Sequence, residues 1–369
     1  MTRSTAELLA ELPIVDAHHD ALQRALDLEH DLGAPTPGQF DLVRARAGGV
    51  GASVFACWVD GHYALAGAPV GAAARAHALM DSLEQLCARH PDRVRPVRTR
   101  ADLAAARRDG VHGAICGIEG GHAIENSLEE LDRFADRGLR CMTIVWNNHL
   151  PWIRSCQPNA GPDVPEGLSD FGRDVVRRME ERGVMVDISH AGERAVLDVL
   201  ETATKPVIAS HSGCKDVRDH RRNLTDEQLR ALAANGGVLG VVFHPGFLDE
   251  AAQAEEMRVR RTDAYRAANG ADHTSRDLAQ QTVMQELAAP FPVSRVVDHV
   301  VHAVEVMGVE HVGLGSDFDG IEHRPQGLDD VGGYGVLVDE LFARGFAEDE
   351  VRLILGDNMR RVFDAVLPD

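Results

Sequence analysis

Short apolar runs alternate with amphipathic stretches from one end of the chain to the other. The runs at residues 14–18, 50–59, 113–118, 141–146, 184–188, 206–210, 238–243 and 312–315 read as strands. Helical patterns lie between most of them, at residues 71–90, 128–137, 168–182, 193–200, 225–234 and 293–307. The run Thr225-Asp226-Glu227-Gln228 has the form of a capping box and opens one of these helices. Eight strands alternating with helices imply a parallel sheet. At 369 residues, eight such units favour the closed (β/α)8 TIM barrel of the α/β class over an open doubly wound sheet.

One stretch breaks the rhythm. Residues 247–290 are polar and charged, and include Glu255-Glu256-Met257-Arg258-Val259-Arg260-Arg261. The pattern predicts one or two helices inserted after the seventh predicted strand, over the active face. A helical tail is predicted at residues 348–366. No low-complexity linker or internal repeat divides the chain, so residues 1–369 read as a single barrel domain with a lid-like insertion.

Composition narrows the class. No apolar run reaches the roughly 18 residues of a membrane-spanning helix. Residues 1–12 carry Arg3, Glu7 and Glu11 without the apolar stretch of a signal peptide, and Leu367-Pro368-Asp369 carries no hydrophobic tail. A soluble, cytoplasmic protein without membrane attachment is expected. The net charge of −20 repels phosphate backbones and argues against nucleic acid as a partner. Cys57, Cys87, Cys116, Cys141, Cys156 and Cys214 form no CxxC pair and read as reduced, mostly buried thiols. No nucleotide-binding glycine motif is present.

Barrel enzymes carry their reactive groups at the C-terminal ends of the strands. There the sequence places Asp16-Ala17-His18-His19-Asp20, Glu119 within a glycine-flanked turn, His190, His211, and Ser316-Asp317-Phe318-Asp319-Gly320. Alternation along a strand turns His18 and Asp20 to one side and His19 to the other. His18, Asp20, Glu119, His190 and His211 supply three nitrogens and two carboxylates, a set suited to two zinc ions bridged by Glu119. Such a pair would hold a hydroxide and polarise a carbonyl, and Asp317 would carry the proton. Taken singly, each residue has a structural reading as a turn former or a buried histidine. Ligand-type residues at five strand ends favour a metal-dependent hydrolase.

At these residues the sequence resembles the membrane (renal) dipeptidase family, the M19 metallopeptidases. The resemblance runs through VDAHHD at 15–20, GIEGGHAI at 117–124, VDISH at 186–190 and PVIASHS at 206–212. It continues through Arg221-Arg222-Asn223, GLGSDFDG at 313–320 and GDNMRRVF at 356–363. It implies a (β/α)8 barrel, two Zn²⁺ ions per subunit, a dipeptide-like substrate and a homodimer. It also implies that His18, Asp20 and Glu119 hold one ion and Glu119, His190 and His211 the other. Arg222 would contact the substrate carboxylate region, and Asp317 would shuttle the proton. One position departs. Where the family often carries an oxyanion-stabilising His, a gapless match places Trp146, and His149 is the nearby candidate to reach the same space. The leading expectation is zinc-dependent hydrolysis of small dipeptides, with either hand allowed at the C-terminal residue. Trp146 motivates an alternative, a binuclear-zinc amidohydrolase acting on N-acyl amino acids or other small amides. A zinc-stabilised barrel that binds without catalysis is the third reading, disfavoured by the intact set of acids.

Overall fold

All eight expected strands are present in the computed structural model, which describes residues 5–11, 14–65, 67–68 and 70–369. In chain order the strands are β1 (Ile14–His19), β2 (Val50–Trp58), β3 (Val94–Val97), β4 (His112–Glu119), β5 (Cys141–Thr143), β6 (Met185–Asp187), β7 (Ile208–Ser212), β8 (Val238–Val241) and β9 (Val312–Leu314). Every pairing between them is parallel. β1, β2, β4, β5, β6, β7, β8 and β9 close on themselves as an eight-stranded TIM barrel, because β9 pairs with β1.

The additional strand, β3, was not legible in the sequence. Its four residues, Val-Arg-Pro-Val, include a proline that donates no ladder hydrogen bond. It survives as a half-strand. The lower part of β4 pairs β3 at Val94↔His112 through Val97↔Ile115, and the upper part pairs β5 at Gly117↔Cys141 through Glu119↔Thr143.

The helices follow their local signals closely. Thr225 caps Asp226–Ala234 and exchanges bonds with Gln228 in the predicted capping box. Helix Leu128–Arg137 stops at Gly138, whose φ of 113° suits glycine alone. The C-terminal helix Asn358–Val366 turns Met359, Val362, Phe363 and Val366 into the lower barrel, where they bury Val15, Ala17, Ala52, Val54 and Ile115. That end is plugged by apolar packing. Only the opposite end, where the strands finish, is free to bind.

The insertion is richer than expected. Four helices occupy it, Pro245–Leu248, Glu250–Arg260, Asp263–Ala267 and His273–Leu287, rather than one or two. Asp249, Thr262 and Asp272 cap the last three, and these caps divide a polar stretch whose periodicity is too weak to show the breaks. The last helix is tied to the barrel in its first turn and near its middle. Thr274 Oγ1 donates to Asp27 at 2.6 Å, and Gln281 Nε2 donates to the Asp319 carbonyl at 3.0 Å.

Candidate active site

Two bulges aim side chains into the mouth. Between Asp16 and His19, β1 carries one more residue than β2 opposite it, and β7 does the same against β8 between Ala209 and Ser212. Val15 below the first bulge and Ala17 at its start join the barrel interior. His18 within it and Asp20 above it face the mouth, while His19 turns outward to stack on Phe40 at 3.9 Å. His211 sits in the second bulge. His190 follows β6 with a φ of 68° and Asp317 follows β9 with a φ of 61°, both in the sparsely populated left-handed region.

These residues converge. His18 Nε2 lies 3.5 Å from Asp20 Oδ2 and 3.5 Å from Glu119 Oε2. The other Glu119 oxygen, Oε1, lies 2.9 Å from His190 Nε2 and 3.4 Å from His211 Nε2. Glu119 therefore stands between two groups with one oxygen turned to each. Three trios could each hold a metal ion: His18 with Asp20 and Glu119, Glu119 with His190 and His211, and His18 with His211 and Asp317. Within each trio the ligand atoms lie inside 4.8 Å of one another.

Hydrogen bonding behind the site tests whether a cation fits. His190 Nδ1 faces Asn147 Oδ1 at 3.1 Å, an oxygen that also accepts from Gln157. His211 Nδ1 lies 2.7 Å from Ser210 Oγ, whose own proton goes to Asp187 Oδ2 at 2.6 Å. Both Nδ1 atoms must donate, which leaves both Nε2 atoms as bare lone pairs only 3.1 Å apart. His18 Nε2 and Asp20 Oδ1 are buried and have no hydrogen-bond partner at all. Unsatisfied acceptors at such a density are costly unless a cation meets them, and imidazole with carboxylate suits zinc. The residues fit a metal.

The electrostatics agree. Burial alone would raise the Glu119 carboxyl, but the neighbouring His18 outweighs it and holds it well below the usual range. Burial works against a charge on His18, yet Glu119 and Asp20 push it well above its ordinary value. Burial, then the charge of Arg222, lowers His190 to about 4. Burial, then His18, lowers His211 well below its ordinary value. Asp317 is held well above the usual carboxylate range by burial and by the neighbouring Asp20. Their closeness requires Gly320, since a Cβ there would lie 2.4 Å from both Asp20 Oδ2 and Asp317 Oδ1.

A model of the membrane dipeptidase family, peptidase family M19, matches residues 2–367. The chain belongs to that family. It is an M19 metallo-dipeptidase, a hydrolase, as the likeness to solved family members also indicates. An uncharacterized dipeptidase of Schizosaccharomyces pombe is 30% identical, over 97% of this chain and 81% of that protein. The crystal structure of a dipeptidase AC, described as a metallo peptidase of family M19, is 27% identical with a TM-score of 0.79, over 97% of this chain and 100% of that one. A metallo peptidase from Rhodobacter sphaeroides, liganded with a phosphinate mimic of the dipeptide L-Ala-D-Ala, is 27% identical with a TM-score of 0.78. That match covers 96% of this chain and 99% of that one.

Around the centre of this M19 chain lies a cleft of about 300 Å³, the lower end of the usual size for a small-molecule site. Asp20, Glu119, His190, His211 and Asp317 form its floor. Trp58 and Trp146, with ring centroids 5.2 Å apart, form an aromatic wall, and the insertion contributes Phe247, Thr274, Asp277, Leu278 and Gln281. The lid-like segment therefore does cover this face. Arg222 lines the cleft as a buried cation, its Nε without a partner. Trp146 lines it too, 6.2 Å from the His190 ring. His149 does not. Its Nδ1 accepts from the Ser155 N–H at 3.2 Å and its Nε2 faces the Pro158 carbonyl at 3.3 Å, so the ring is engaged by its own loop rather than by the cleft.

Sequence reasoning gave no role to several residues that shape the site. Asn147 lines the cleft and orients His190. Asp187 accepts from Ser189 N, Ser210 N and Ser210 Oγ, and so ties β6 to β7 beneath the two histidines. Asp16 does the same between β1 and β9 through Ser316 and Tyr334. Asp319 forms a buried two-point ion pair with Arg24 and belongs to the wall. Asp16 and Asp187 lie inside the motifs, where a buried carboxylate with no visible partner was the available signal. Asn147 carried none.

Proposed function

We propose that this chain hydrolyses the amide bond of small dipeptides with two zinc ions, one held by His18, Asp20 and Glu119 and the other by Glu119, His190 and His211. The observation that carries the reading is Glu119 turning one oxygen to His18 and the other to His190 and His211, beside His18 Nε2 and Asp20 Oδ1, which have no hydrogen-bond partner. When bound, such a pair supplies a hydroxide at neutral pH and polarises the scissile carbonyl. Asp317 is the group that moves the proton: its carboxyl, beside Asp20, accepts it and returns it to the leaving nitrogen. Arg222 binds the terminal carboxylate, which favours free dipeptides over longer chains. The phosphinate ligand of the Rhodobacter sphaeroides enzyme supports testing a D-residue at the C-terminal position.

Trp146 favours one competitor, an amidase of N-acyl amino acids, because it lines the cleft with an indole packed against Trp58. A library of dipeptides varying both side chains and the hand of the second residue, run against matched N-acyl amino acids on metal-quantified protein, separates the two. Turnover of dipeptides and two zinc ions per chain are expected. Turnover of N-acyl amino acids alone would replace the proposal with its competitor.

A further inference from the structure

Arg222 is held unusually for a buried cation. Only 4% of it is exposed, and no ion pair to a carboxylate fixes it among the described residues. Its Nη2 donates to the His211 carbonyl at 3.1 Å, its Nη1 reaches Ser212 Oγ at 3.5 Å, and its Nε is unbonded. What steadies the guanidinium is a ring face: Phe247, with its centroid 5.2 Å away. Phe247 in turn stacks on His244 at 4.1 Å and on His220 at 4.8 Å, and His220 Nδ1 accepts the Arg222 main-chain N–H at 3.3 Å.

Beneath this stack lies a carboxyl that the catalytic scheme does not use. Glu256, on helix Glu250–Arg260, is buried. Its Oε1 lies 3.2 Å from the Gly246 N–H, 3.4 Å from His244 Nδ1 and 3.8 Å from His323 Nδ1. His244 Nδ1 already accepts the Gly246 N–H at 3.1 Å, so it faces Glu256 as a lone pair. His323 Nδ1 has no hydrogen-bond partner. The other charged groups bearing on Glu256 are Arg260 and Glu322, which pair with each other at 3.2 Å. The bare His244 nitrogen facing the carboxyl oxygen attracts it only while it carries its proton.

We infer that the stack of Phe247 and His244 positions Arg222 for the substrate carboxylate, and that protonated Glu256 holds this stack in place. The inference rests on Arg222 being the carboxylate-binding residue. Burial pushes the Glu256 carboxyl up to about 7 against the pull of Arg260, so the device works near neutrality. Burial, followed by Arg260, lowers His244 to about 3. Burial, followed by Arg222, lowers His220 to about 4. Both rings thus stay neutral beside the guanidinium. Glu256 is a positioning residue that acts only through Arg222, whereas Phe247 steadies Arg222 by its ring face and also lines the cleft.

The test is dipeptide hydrolysis by zinc-loaded protein, with kcat and KM measured separately from about pH 6 to 8. Arg222→Ala and Phe247→Leu should each raise KM about tenfold or more. Phe247→Tyr, which keeps the ring, should restore KM. The wild-type KM should rise above about pH 7, and Glu256→Gln should remove that rise. An unchanged KM in Arg222→Ala would refute the reading of Arg222 itself. A raised KM there, with an unchanged KM in Phe247→Leu, would overturn the inference alone. Should Phe247→Leu fail to fold, the Glu256→Gln profile decides, because a pH dependence identical to wild type overturns the inference.

Discussion

Asp317 and Asp20 share a space that only the absence of a side chain at residue 320 allows. A Cβ on Gly320 would press on both carboxylate oxygens, and Asp319 beside it is locked to Arg24, so the turn has little room to yield. Gly320→Ala is therefore expected to displace the carboxylates and to lower turnover by about 10²-fold, the usual cost of a misplacement near 1 Å, while circular dichroism stays that of the wild type. Asp317→Asn keeps the shape and removes only the proton acceptor. Turnover should fall by about 10²–10⁴-fold with metal content unchanged by elemental analysis. Near-normal turnover in that variant would take the proton-shuttle role away from Asp317. At this scale the sequence was informative: His18, Asp20, Glu119, His190, His211, Arg222, Trp146 and Asp317 all arrive at one cleft or its floor. His149 does not, because a loop folds by its local hydrogen bonds and its reach is not a property of sequence spacing.

Among the elements, the insertion carries the clearest energetic signature. Glu256 binds its proton more tightly in the folded chain than in the unfolded one, where a glutamate titrates near 4.5. Between about pH 4.5 and 7 the unfolded chain releases that proton first, so this group's contribution to stability is fully present at acid pH and is lost as pH rises. The loss amounts to about 3 kcal/mol. Glu256→Gln should consequently gain on wild type by about that amount as pH rises through this window, and the gap should then stay constant, as read by urea unfolding. A gap independent of pH would show that Glu256 is ionised in the fold. Helix ends were legible here only where a capping residue stands beside a strong apolar period, as at Thr225. In the insertion, Asp249, Thr262 and Asp272 cap helices whose exposed polar faces hide the period.

For the whole molecule, a cluster of unsatisfied acceptors at one barrel mouth ties metal content to stability. Chelation should lower the thermal midpoint by several degrees as well as abolish hydrolysis, and zinc should restore both. An unchanged midpoint in protein verified as metal-free would count against a metal bound by these residues. Among the described residues, no helix is long and apolar enough to cross a membrane. The plugged lower end and the lidded upper end give the barrel one chemically equipped opening, where β1, β4, β7 and the turns after β6 and β9 converge.

The amino-acid order by itself determined the alternation of strand and helix, the closed barrel and the residue types at the strand ends. Those follow from local periodicity and from side chains whose chemistry is legible one at a time. Tertiary structure decided what periodicity leaves free. It placed an extra residue in β1 and in β7 that turns His18 and His211 into the mouth, fitted β3 against half of β4, and brought Asn147 and Asp187 behind the histidines to fix which nitrogens face inward. Bulges and second-layer hydrogen bonds depend on partners far away in the chain, and a pattern read along one strand holds no record of them.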